Sequence, residues 1–351
     1  MRTLTNIPTA LALATGCLLF SAGCPRDSAP SPSSSAVEST PDDGLVPVTS
    51  EPASQVPATP VIPAEEMRRR LGADQNARFE RLGTAYVAAS LAGSGATSLD
   101  ALAGQPLRQL DLSQTPIRDL TPLAGMPLQE LALIGTQVSD LSPLQGAPLL
   151  LLDASRTPVA NLNPLSSLKS LEALYLEGAQ VSDLTPLRTL ALKKLWLNAC
   201  PVRDLTPLTG KEFEELNLCD VKFNSPLPLG TLQAHTLWLR NTPLTDLSLL
   251  QGESLVSLDV QGCAVSDLSP IREIRHLERL NIANTGITDL TPLAGLPLVR
   301  LIFSPDKVTK GLDVVRQMPT LRQLDTSFEG NTPARTPSEF WEEFDSGKIQ
   351  R

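Results

Sequence analysis

Residues 119–144 read DLTPLAGMPLQELALIGTQVSDLSPL, and this stretch returns with small changes down most of the chain. Its apolar frame is Leu128-x-x-Leu131-x-Leu133-x-x-Thr136-x-Val138-x-x-Leu141-x-x-Leu144. Leu131 and Leu133 flank Ala132, which is the period of a short strand with one buried side. One unit is too small to bury that side alone. Stacked copies bury a continuous core, with neighbouring strands roughly 4.8 Å apart.

The elements that open each turn are Asp119, Asp140, Asn161, Asp183, Asp204, Asp246, Asp267 and Asp289, at gaps of 21, 21, 22, 21, 42, 21 and 22 residues. Most begin a D-L-T-P-L or D-L-S-P-L segment. The gap of 42 hides one further unit, which is read at Val221–Leu227 with Phe223 where Asp is expected. An earlier degenerate copy is Ala96–Leu102, preceded by Tyr86-x-x-Ala89-x-Leu91. The spacing is that of a leucine-rich repeat, L-x-x-L-x-L-x-x-N/C-x-L. The repeated Asp is expected to cap a short helical turn by accepting a backbone N–H two or three residues on. Proline then falls early in the turn, where its missing N–H costs little. A calcium-binding role for the Asp column fails for want of a glycine-rich ligand loop.

The joined elements resemble the short repeats of bacterial internalin-type leucine-rich repeat proteins over about residues 86–326. The resemblance implies an α/β solenoid: a right-handed horseshoe with a parallel β-sheet on its concave face and tight 3₁₀ or irregular turns on its convex face. It also implies an adhesive role. The internalin-type ladder position carries Asn. Here it holds Thr115, Thr136, Thr157, Ala179, Cys200, Thr242, Cys263 and Thr285, so the Asn ladder is absent. Similar repeats accompany kinase domains in some bacterial chains, but the sequence contains no kinase nucleotide loop or catalytic loop.

The N-terminus predicts export. Arg2 supplies the positive start, Ala10–Phe20 the apolar run, and Ala22 and Gly23 the small residues. Cys24 after Ser-Ala-Gly resembles a lipoprotein lipobox, departing from it at Ser21 where Leu is usual; Cys17 is a weaker candidate. The expectation is a signal peptide over 1–23 and a lipid anchor on Cys24. A secreted cleaved form and an uncleaved anchor are the alternatives. Residues 24–63, rich in Ser, Pro, Ala and Thr, read as a disordered tether reaching about 35 Å. Residues 64–85 predict a helical cap of one or two short helices broken near Gly72. The repeats are expected over 86–304. Residues 305–351 predict a last repeat and a helical cap. Thr309 is expected to cap a helix running through Val315, and Leu321-x-x-Leu324 to start a final strand. Thr336-Pro337-Ser338-Glu339 makes a capping box before the apolar face of Phe340, Trp341 and Phe344.

In each strand the middle residue of L-x-L faces the concave side. That position reads Ser90, Asp111, Ala132, Asp153, Tyr175, Trp196, Asn217, Trp238, Asp259, Asn281, Ile302, Asp325. The chain has three Trp and two Tyr, and three of these five residues lie in this column. Exposed aromatics in a row offer rigid contact area. The candidate ligand-binding residues are therefore Tyr175, Trp196 and Trp238, with Lys194, Asn217 and Arg240 as polar partners. A protein or peptide is the expected ligand, and a glycan is the second class. The alternatives are a stripe that packs against itself and a scaffold in an envelope assembly.

Chemistry finds little support. His235 and His276 have no nucleophile placed beside them, and Glu214-Glu215 face opposite ways. Cys200 and Cys263 lie three coils apart, roughly 15 Å, too far for a disulfide. No metal-type cysteine spacing occurs and no cofactor is expected. Arg279 and Arg300 fall on neighbouring concave coils, yet the net charge of −9 argues against nucleic acid.

Overall fold

The computed structural model describes residues 62–250, 254–327 and 334–349. The export segment, Cys24 and the tether up to residue 61 lie outside the described residues. Among those described, the sheet contains β1 (Arg78–Leu82), β2 (Ala85–Ser90), β3 (Gln109–Asp111), β4 (Glu130–Ala132), β5 (Leu151–Asp153), β6 (Ala173–Tyr175), β7 (Lys194–Trp196), β8 (Glu212–Asn217), β9 (Gln233–Trp238), β10 (Ser257–Asp259), β11 (Arg279–Asn281), β12 (Arg300–Ile302) and β13 (Gln323–Asp325). They lie in chain order. β1 and β2 are antiparallel, and every later pair is parallel. The chain is therefore a leucine-rich repeat solenoid with the sheet along its concave face and 3₁₀ turns opposite.

The leucines that flank each middle residue point inward, and Leu110, Leu131, Leu152, Leu174 and Leu195 are each at most 1% exposed. Opposite them, turns such as Thr121–Leu123 and Thr206–Leu208 carry Pro at their start. The Asp column works as expected. Asp119, Asp140, Asp183, Asp204, Asp246, Asp267 and Asp289 each accept the backbone N–H two residues on, at 2.8 Å, and Asn161 does so at 3.0 Å.

The hidden unit corrects the alignment. Ser225, not Phe223, takes the Asp role: its hydroxyl accepts the Leu227 N–H at 3.3 Å. Ser225 lies 21 residues after Asp204 and 21 before Asp246, so the period is unbroken. Phe223 sits in the core, and Val221 takes the buried ladder position. The deception came from Ser-Pro-Leu at 225–227, which imitates the motif while Leu227 is 68% exposed and Leu229 is buried.

Without an Asn ladder, the interior is satisfied locally. Thr115, Thr136, Thr157, Thr242 and Thr285 each donate their hydroxyl to the carbonyl three residues earlier, at 2.6–2.8 Å. The Cys200 thiol reaches the Leu176 carbonyl, and the Cys263 thiol the Leu239 carbonyl. Cys200, Cys219 and Cys263 are free thiols.

Both ends are covered, in different ways. At the N-terminus α1 (Ala64–Leu71) buries Met67 and Leu71, and Gly72 ends it in a left-handed conformation. The second half of the expected helical cap is instead a hairpin. β1 turns at Gly83-Thr84, with Gly83 at φ 64°, and Leu82 pairs with Ala85. Phe79 packs on Tyr86 at 5.4 Å between ring centroids. The open edge of β2 needed backbone partners, which a helix could not supply.

At the other end α2 (Leu312–Arg316) starts after Gly311 with no side-chain cap, so Thr309 does not cap it. A Cβ on Gly311 would lie 2.5 Å from the Thr291 backbone nitrogen, and only glycine allows that approach. Thr309 instead donates to the Thr288 carbonyl. α3 (Pro337–Asp345) carries the complete Thr336–Glu339 capping box and buries Phe340, Trp341 and Phe344. Phe340 meets Phe303 of the last coils at 5.6 Å.

Candidate functional site

The parallel register brings the candidate column together. Asp153, Tyr175, Trp196, Asn217, Trp238 and Asp259 are successive Cα partners across β5–β10. The polar members of the column have a local duty. Asp111, Asp153, Asn217, Asp259 and Asn281 each accept the backbone N–H two residues on, at 2.9–3.1 Å, and so turn the chain out of its strand. Asn217 is thus a turn former as well as a candidate contact. Tyr175, Trp196 and Trp238 cannot do this and stand free of that task.

The three rings form one continuous cluster. Tyr175 meets Trp196 edge-to-face at 5.0 Å, and Trp196 meets Trp238 edge-to-face at 5.8 Å. β7 and β9 are two strand spacings apart, about 9.6 Å. The two tryptophan rings therefore meet over the intervening coil of Asn217. Trp238 is only 8% exposed, so it supports the row rather than presenting a free face. Tyr175 and Trp196 remain half-buried. Burial pushes the Tyr175 hydroxyl up to about 12, with Glu215, Asp153 and Glu214 adding to the effect, so it stays a neutral donor at ordinary pH. Trp196 Nε1 and Asn198 Oδ1 are buried and lack a hydrogen-bond partner.

Two of the predicted polar partners are already paired. Lys194 reaches Glu215 at 2.7 Å, and Arg240 reaches the nearly buried Asp259 at 2.9 Å. They border the aromatic row as neutralised pairs. The Asp153 carboxyl is raised above its usual range, first by burial, and the Asp325 carboxyl likewise.

His235 and His276 are exposed, and the described residues hold no group of three or more metal-type ligands. Burial pushes the Cys200 and Cys219 thiols up to about 12, which holds them as unreactive thiols. A groove of about 380 Å³ lies on the turn side beside the irregular unit, lined by Arg203, Asp204, Asn224, Ser225, Leu227 and Pro228 among others. Sequence reading missed it because the motif was placed two residues out of step there. No described helix is long and apolar enough to cross a membrane.

Among solved structures, the chain is similar to an internalin (InlF) of Listeria monocytogenes, with TM-score 0.54 and 20% identity over 76% of this chain and 90% of that one. A leucine-rich repeat protein of Leptospira interrogans matches with TM-score 0.45 and 17% identity, over 74% of this chain and 81% of that one. The first likeness shows the fold. No family model and no curated protein sequence matches the chain.

Proposed function

We propose that this chain is a non-catalytic recognition module of the bacterial cell envelope. It takes a protein or peptide on its concave face, around Tyr175, Trp196 and Trp238, with Lys194, Asn217 and Arg240 at the border. A lipid on Cys24 and the 24–63 tether would present the domain away from the membrane. The observation that carries the reading is the edge-to-face row of rings in a column whose other members are mostly small or turn-forming. Aromatic rings with a polar tip dominate binding hot spots.

A second reading, a scaffold with a self-packed stripe, is favoured by the burial of Trp238 and by the pairing of Lys194 and Arg240. A pull-down from bacterial envelope extract separates the two. The full chain is compared with its Trp196→Ala, Trp238→Ala variant, and circular dichroism checks that both fold. Capture of a protein by the parent alone supports recognition through the row. Equal capture by both, or none, supports the scaffold, and retention on a sugar polymer instead moves the assignment to a glycan.

A further inference from the structure

The two ends of the sheet are finished differently. At the last strand the backbone edge is met: the Leu324 N–H of β13 donates to the Arg335 carbonyl, and the Arg335 N–H donates to Asp325 Oδ1 at 3.4 Å. At the first strand, β1 stands outermost, with β2 on one side and no described strand on the other. α1 packs on the first turn, Asp100–Leu102, and not along this edge. Its Arg68 reaches the Ala77 carbonyl, one residue before the strand begins.

Alternation decides which groups of β1 face outward. In β2 the Val87 carbonyl accepts the Arg108 N–H, and the Leu91 N–H donates to the Asp111 carbonyl, so these odd positions turn their main chain toward β3. Ala88 and Ser90 turn theirs toward β1, where their register partners are Glu80 and Arg78. The main chain of Phe79, between those two, therefore points away from β2. It offers one donor and one acceptor at an open edge.

Charges of one sign would guard such an edge against pairing. Here the signs alternate. Arg78 and Glu80 flank Phe79, and both are exposed. Glu80 has no hydrogen bond or ion pair among the described residues. Arg78 donates one guanidinium nitrogen to the Gln75 carbonyl and keeps its other donors.

From this arrangement we infer that the edge pairs with itself: a second copy of this chain adds its own β1 antiparallel, about a two-fold axis at Phe79. Phe79 then lies opposite its counterpart, and the two exchange both main-chain hydrogen bonds. Arg78 of each copy lies opposite Glu80 of the other. These are non-hydrogen-bonded pairs with Cα atoms about 4.5 Å apart, where side chains come closest. An axis at Glu80 would oppose two carboxylates, and one at Arg78 two guanidinium groups, so charge selects the register. The axis is perpendicular to the sheet, and both concave faces look the same way. The strand is short, so the association is weak by the standard of stable interfaces. It does not depend on what the concave face binds.

Sedimentation equilibrium of the full chain, from low to high micromolar concentration, tests this. The parent should form a reversible dimer. Arg78→Glu and Glu80→Arg each oppose like charges at both pairs, and each should weaken the dimer about tenfold or more. Mixing the two variants should restore it, because every pair is then opposite in sign. A residue that matters only to its own chain gives no such rescue. Circular dichroism checks that the variants fold. A parent that stays monomeric, single variants that dimerise as the parent does, or no rescue on mixing would overturn the inference. Should a variant not fold, hydrogen exchange at the Phe79 amide of the parent decides. Exchange should slow as concentration rises, and a rate independent of concentration overturns the pairing.

Discussion

The two long columns of this solenoid obey different rules. On the turn side, seven aspartates, Asn161 and Ser225 do one job in the same geometry, each accepting the N–H two residues on. On the concave side, the middle position runs from Asp to Ala to Tyr to Trp to Ile within one sheet. The turn column is constrained because each coil must reverse its chain in the same space. The concave column is constrained only in part: Asp111, Asp153, Asn217, Asp259 and Asn281 also accept the N–H two residues on, whereas Ala132, Tyr175, Trp196, Trp238 and Ile302 have no such acceptor and are open to other demands. Repetition marks architecture, and departure from repetition marks the place to look for binding.

That contrast can be broken most sharply within one strand. Leu195 faces the core at 0% exposure, and Trp196 faces the concave side. Leu195→Ala should cost about 3 kcal/mol, the range for a buried leucine that leaves a cavity. Trp196→Ala should cost less stability, about 2 kcal/mol for its two ring contacts and half-buried surface, while removing ligand capture. Urea unfolding of the two variants checks this, and a larger loss from Trp196→Ala would make the row structural. Thr136→Val is the next step down. It keeps the shape but removes the hydroxyl bond to the Leu133 carbonyl, and should cost about 1 kcal/mol by the same measurement. No change would mean that the Thr ladder contributes only by size.

The smallest effect belongs to a single turn aspartate. Hydrogen bonds from Thr291 and then Lys310 pull the Asp289 carboxyl down to about 2. A lowered folded-state pKa adds stability above the unfolded value near 4, and that stability is lost as pH falls toward 2. The group is exposed, so water screens it and the step is small. Asp289→Asn keeps the N–H acceptor and should flatten part of the fall in melting temperature between pH 4 and 2. An unchanged acid profile would show that the charge at this turn adds nothing to its geometry.

The capping role of the Asp column was legible because it depends on contacts within three residues. So was the C-terminal capping box, where Thr336 and Glu339 lie one helical turn apart. Two local readings failed at imitations. Ser-Pro-Leu at 225–227 looked like the turn motif, and Thr309 looked like a helix cap although Gly311 opens the helix. In both, the deciding contact came from an adjacent coil or from burial. The charged stretch before Gly83 read as helix and became a strand, because the edge of β2 supplied hydrogen-bond partners.

By itself the sequence determined the repeat period, the stacking of strands and the alignment of Tyr175, Trp196 and Trp238 in one column. A two-residue strand period and a 21–22-residue repeat leave no other way to bury the leucines. Only the tertiary structure decided how far each ring is exposed, that Trp196 and Trp238 meet across the coil of Asn217, and that Lys194 and Arg240 are paired with Glu215 and Asp259. Register says which residues are neighbours. Side-chain direction and the competition for nearby carboxylates decide what those neighbours do.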